Sequence, residues 1–153
     1  MQKLSRPSIF SAKAPAASSG SKMNGGCNLC NKTSALVSEL MNAGTSLHKL
    51  HLKITGVGSY AGHKALNEIY DALPDHADDL AEEFQGAEEK LLEYEDVAPR
   101  ALASVDEAIK YMNEMKDAVT SLQGIMPHSE IVNLLDNVKS SINSVKYKLL
   151  FLK

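Results

Sequence analysis

Two histidines and two carboxylates, His51, His63, Asp78 and Glu82, are the residues of this chain whose types and spacing could do chemistry. Imidazole with carboxylate is a mixed ligand set that suits iron, manganese or zinc. His51 lies five residues before Gly56 and His63 five after Gly58. A turn at Gly56-Val57-Gly58 between two antiparallel helices would therefore set both imidazoles at about the same height. Asp78 and Glu82 are four apart and share one helix face. Along one continuous helix, the fifteen residues from His63 to Asp78 span roughly 22 Å at a rise of ~1.5 Å each. Ligands of one metal lie only a few ångströms apart. The four residues are thus either two unrelated pairs or halves of a site that a second copy completes, and a two-fold contact would build two such sites per dimer.

The elements that must position them follow from periodicity. A first helix is expected from Thr33 or Ser34 to about Thr55, with Leu36, Leu40, Leu47, Leu50 and Ile54 as its apolar stripe and Gly44 marking a close helix approach. A second, capped by Ser59, buries Leu66, Ile69, Leu73, Leu80, Phe84 and Leu91. Pro74 falls inside it, yet the period survives, which predicts a kink and not a stop. A third spans about 101–123, capped near Ser104 and ended by Gly124, and a fourth about 128–151, with Ile131, Leu134, Leu135, Val138, Ile142, Val145 and Leu149 inside. The fold class expected is an all-α four-helix bundle over residues 33–153, preceded by a disordered basic arm over residues 1–32.

The segments Leu47-His48-Lys49-Leu50-His51, His63-Lys64-Ala65-Leu66-Asn67-Glu68-Ile69-Tyr70-Asp71 and His76-Ala77-Asp78-Asp79-Leu80-Ala81-Glu82, with Gly56 between the first two, resemble the Dps family. These are mini-ferritins, DNA-binding proteins from starved cells, and small Dps-like proteins also occur in phage genomes. The resemblance covers about residues 35–153, is strongest over 46–83 and is weak after 95. It implies a ferritin-like bundle in which His51, His63, Asp78 and Glu82 form a ferroxidase site shared across a dimer two-fold. Fe(II) would be oxidised there by peroxide or O₂, with zinc as a substitute metal on the same ligands. It also implies iron storage in a dimer-based shell, a dodecamer in the family, and DNA protection in a cytoplasmic, nucleoid-associated protein. Asn67 stands where the family carries an acid four after the second histidine, and Leu52 stands where it carries Trp. Those departures leave an alternative: a non-catalytic Dps-like structural or nucleic-acid-binding and particle-binding protein.

Charge is distributed unevenly. Residues 1–38 carry Lys3, Arg6, Lys13, Lys22 and Lys32 and no acid, whereas the remainder carries a net −8, for −3 overall. A basic Gly/Ser/Ala/Pro-rich arm on an acidic body is the pattern of a tail that touches DNA, and those five residues are its candidate contacts. An oligomer displaying many tails would multiply their weak individual affinity. No apolar run approaches the ~20 residues of a membrane span, and the start of the chain lacks an apolar signal core, so a cytoplasmic location is expected. Neither a Gly-rich phosphate loop nor a nucleophile–base motif occurs, which leaves hydrolase and nucleotide chemistry without support.

Cys27-Asn28-Leu29-Cys30 is a CxxC placed by this reading in the arm. Half a zinc site shared between two arms, a redox disulfide and a reduced, solvated thiol pair are all compatible with it. His48, His76 and His128 read as packed or surface histidines, with His48, three residues before His51, also placed to support that ligand or to replace it.

Overall fold

The computed structural model describes residues 27–152, all of it helix and connecting chain. Four helices run Asn28–His51 (α1), Ser59–Glu88 (α2), Val105–Gln123 (α3) and Ser129–Phe151 (α4). α1 packs on α2 and α3, and α4 packs on α2 and α3, closing a four-helix bundle.

Its connectivity contains one long crossover. α1 and α2 are joined by a tight turn, with Gly56 at φ 93 and Gly58 at φ 78, left-handed values that glycine adopts without steric cost. α2 ends at Glu88, and residues 89–104 then run without helix back along the bundle to the start of α3. Ala103, Ser104 and Val105 consequently sit beside Gly58, Ser59 and Gly62 at the start of α2 and beside Leu149 at the end of α4. α2 and α3 are therefore parallel, each antiparallel to α4, which is the connectivity of ferritin-like bundles.

The crossover is held by specific bonds. The Leu92 N–H donates to Gln85 Oε1 (2.8 Å) as the Leu92 side chain enters the core. The Arg100 N–H donates to the fully buried Ser46 Oγ (2.8 Å), which itself donates to the Asn42 carbonyl (2.7 Å). The Arg100 guanidinium bridges Glu39 (3.1 Å) and Glu114 (2.5 Å) and lies 4.2 Å over the Tyr111 ring, pinning the chain between α1 and α3. Exposed ion pairs contribute little alone, so the buried serine should matter more. Ser46→Ala is expected to cost about 1–2 kcal/mol, because it strands the Arg100 N–H; chemical denaturation measures this.

Helix boundaries depart from expectation where polar residues are buried. α1 begins at Asn28, earlier than Thr33, because Cys30 and Thr33 continue the stripe of Val37 and Leu40 into the core. The boundary drawn after residue 32 is therefore corrected: Cys27, Cys30 and Lys32 belong to the bundle, and Lys32 Nζ donates to Ser121 Oγ on α3 (3.3 Å). α1 ends at His51 and not near Thr55, and Gly58, not Ser59, occupies the N-cap of α2. Leu91 is 80% exposed, since Glu89 turns left-handed (φ 51) and breaks the register, handing the core position to Leu92. α2 passes through Pro74 unbroken. The missing proline N–H frees the Tyr70 carbonyl, and the close approach expected at Gly44 is made against that carbonyl and the Pro74 ring. Ser104 caps α3, accepting from the Glu107 N–H (3.2 Å), while Glu107 reaches back to the Ala103 N–H (2.7 Å). Lys3, Arg6, Lys13 and Lys22, and the disorder expected of the arm, lie outside the described residues.

Candidate metal centre

His51 is the last residue of α1 and His63 lies in the second turn of α2, and the glycine turn brings their rings together as the spacing predicts. The rings stack with centroids 3.6 Å apart and planes at 24°. Each imidazole is tied to the other's backbone. His51 Nδ1–H donates to the His63 carbonyl (2.9 Å), and His63 Nδ1–H donates to the His51 carbonyl (3.3 Å). The second bond serves a helix-terminal carbonyl that has no partner within α1. A carbonyl can only accept, so both rings carry hydrogen on Nδ1. With Nδ1 engaged, Nε2 is the atom each neutral ring can offer to a metal, the arrangement in which a backbone oxygen orients a metal-binding histidine.

The ring planes do not yet converge. A metal bound by both rings must lie near both planes, ~2.0–2.1 Å beyond each nitrogen. The planes of stacked rings with centroids 3.6 Å apart and a tilt of only 24° do not meet so close to the rings, so one imidazole must rotate before both can bind the same ion.

Asp78 and Glu82 are exposed on the same helix as His63, about four and five turns further along. Continuity of α2 through Pro74 fixes that separation at roughly 22 Å or more. Within one chain the structure brings His51 to His63 and does not bring the carboxylates to them. Among the described residues no three His, Cys, Asp or Glu side chains converge to hold a metal ion. Asp78 instead acts by its charge on Tyr94 of the crossover, whose phenol is pushed up by burial and then by that carboxylate.

Tyr70 is the residue that sequence reasoning missed. It stacks on His48 (4.0 Å, 9°) and meets the His51 ring edge-on (5.0 Å). Its hydroxyl donates to Asn67 Oδ1 (2.9 Å), and Asn67 Nδ2 donates to Asp71 Oδ2 (2.6 Å). The signal was present in the helical period, since Tyr70 is two turns after His63 on the same face. Asn67, half-buried beside the histidines, has both ends of its amide engaged.

The other histidines are structural. His128 Nε2 meets Glu88 at 2.7 Å, joining the start of α4 to the end of α2. His76 Nε2 is 2.9 Å from Ser141 Oγ, joining α2 to α4, and burial lowers its pKa against the pull of Asp79 and Asp75. The folded chain then binds this proton less readily than the unfolded one. His76's contribution is complete above the unfolded value of ~6.5 and is lost as pH falls through the lower folded value. Thermal unfolding followed from about pH 7.5 to about pH 5 should show that slope, and His76→Gln should flatten it.

Comparison with known proteins places residues 51–149 in a family of unknown function (DUF5856), and the chain belongs to that family. No curated protein and no solved structure matches the chain. Among the described residues no helix is long and apolar enough to cross a membrane.

Proposed function

We propose that this protein is a Dps-like ferroxidase that binds Fe(II) at sites shared across a dimer two-fold, stores the oxidised iron in an oligomeric shell and protects DNA. The observation that carries the proposal is the reciprocal pair of Nδ1–H to carbonyl bonds, which engages Nδ1 of both rings and leaves Nε2 of each as the ligand atom at one end of the α1–α2 hairpin. Asp78 and Glu82 lie exposed towards its other end, free to meet a second copy. A two-fold that brings each histidine pair to the partner's carboxylates must cross α2 midway between them, near Asp71. Exposed Leu52 and Tyr60 beside the turn, with Met41, Tyr94 and Val97 along α1 and the crossover, supply apolar surface for such a contact.

In this reading iron is the substrate. His51 and His63 hold Fe(II) through Nε2, and the anionic Asp78 and Glu82 favour Fe(III) as its charge rises. Two Fe(II) ions give one electron each to a peroxide, which takes up two protons and leaves as two waters. Tyr70, in ring contact with His51, is the aromatic group nearest the site where the resembling family has an indole.

One observation favours a non-catalytic Dps-like scaffold instead. The Asn67 amide is spent on Tyr70 and Asp71, and the stacked rings need rotation before sharing an ion. Solution mass, measured with the rate of Fe(II) loss in air and with peroxide, decides between them. Oxidation well above the buffer rate from an oligomer, abolished in His51→Ala/His63→Ala with helicity intact, supports the ferroxidase. An oligomer no faster than buffer supports the scaffold, and a stable iron-loaded monomer sinks the shared site.

A further inference from the structure

The two cysteines of the chain lie at the opposite end of α1 from the histidines, ~35 Å away along the helix. Cys27 precedes the first helical residue in a non-helical conformation (φ −47, ψ 118) and is exposed. Cys30, one turn on, is 8% exposed and packs in the core cluster. The backbone bond from the Asn31 N–H to the Cys27 carbonyl (3.0 Å) closes this first turn. Cys27 and Cys30 therefore sit one turn apart at the start of α1, near enough for the Cys30 N–H and thiol to act on the Cys27 thiol.

We propose that Cys27 and Cys30 are a reversible dithiol–disulfide couple that exchanges with low-molecular-weight disulfides, Cys27 being the attacking sulfur and Cys30 the resolving one. The asymmetry of the pair supports these roles. The two donated hydrogen bonds hold the Cys27 thiol below its ordinary pKa, and no acid occupies the first turn of α1 to oppose a thiolate at the positive helix end. Donation to Cys27, then burial, raises Cys30 and keeps it protonated until needed. The charges facing the pair come from the end of α2 and the crossover: Glu88 opposes both thiolates, and Lys90 favours that of Cys30.

The exchange balances without a further reagent. The Cys27 thiolate attacks one sulfur of the small disulfide, whose S–S bond breaks to release one thiolate and leave a mixed disulfide on Cys27. That thiolate takes the Cys30 proton. Cys30 then attacks the Cys27 sulfur, forming the Cys27–Cys30 bond and expelling the second small thiolate, which is protonated in turn. Two electrons pass from the protein dithiol to the small disulfide. Side chains three apart on a helix have Cβ atoms ≈ 5–6 Å apart, and a disulfide needs about 3.5–4.5 Å, so the non-helical backbone of Cys27 supplies the closing movement.

Intact mass after incubation of the full chain with oxidised glutathione tests this. The wild type should lose two hydrogens and retain no glutathione. Cys30→Ser should stop with one glutathione on Cys27, and Cys27→Ser should stay unmodified while folded. Initial alkylation of Cys27 at neutral pH should exceed that of Cys30 by at least about tenfold, and guanidinium should erase the difference. Because Cys30 is buried, Cys30→Ala serves as the second variant if the serine lowers helicity. A wild type that keeps glutathione without closing, or equal modification of the two single variants, overturns the proposal. Zn(II) protecting both thiols at one ion per two chains would assign a shared metal site instead and overturn it equally.

Discussion

Two inactive variants should restore each other. His51→Ala/His63→Ala lacks the imidazoles and keeps the carboxylates, and Asp78→Ala/Glu82→Ala does the reverse. On the proposed shared site, each alone should oxidise Fe(II) no faster than buffer. Unfolded together in equal amounts and refolded, they should regain about a quarter of the wild-type rate per subunit. Random pairing makes half the dimers mixed, and each mixed dimer holds one complete site and one with no ligands. The result separates a shared site from two unrelated pairs, because no arrangement within one chain predicts recovery. The folding control is favourable. Asp78 and Glu82 are exposed and His51 is the only one of the four fully buried, so circular dichroism should change little. No recovery, with mixed dimers demonstrated by mass, removes the shared site. Recovery above a quarter, towards a half, would mean that mixed pairs form in preference to like pairs.

The parts of this molecule that were legible in the sequence are those fixed by period and turn chemistry. Ser104 with Glu107 announces the start of α3, and Leu66, Ile69, Leu73, Leu80 and Phe84 mark the buried face of α2 through Pro74. The glycine turn places His51 opposite His63 because the residue count on each side is equal. Less legible were the positions where a polar residue does an apolar residue's work. Thr33, and Cys30 a turn before it, extend the core by a turn and a half, and a stripe drawn on Leu, Ile and Val omits both. The Leu91–Leu92 exchange depends on the left-handed Glu89, a residue type that gives little warning of that conformation. The tautomer of the histidine pair was out of reach for another reason. It depends on side-chain torsions that aim each Nδ1 at a carbonyl twelve residues away, and spacing alone carries no such information.

Removing residues 1–26 should abolish DNA binding if the arm is the DNA contact. Residues 39–153 carry a net −8 and would be repelled by a phosphate backbone, so attraction must come from elsewhere. The truncation ends before the first cysteine, leaves all four helices intact, and deletes Lys3, Arg6, Lys13 and Lys22. Lys32 stays behind, but it sits on α1 with its amine on Ser121 and leaves residues 27–153 at a net −7. Counterion release gives at most about −0.9 in the slope of log K against log salt for each phosphate neutralised, so one arm supplies no more than about −4. That is weak, and only several arms on one particle would raise the effective concentration enough for binding to be seen. Fluorescence anisotropy with a labelled duplex at low and high salt should therefore show a steep loss for the intact oligomer and no binding for the truncated one. His51→Ala/His63→Ala should bind like the wild type, since its arm is unchanged. Binding that survives both truncation and high salt would move the contact onto the helical body, against its own charge, and would remove DNA as the partner that this charge distribution selects.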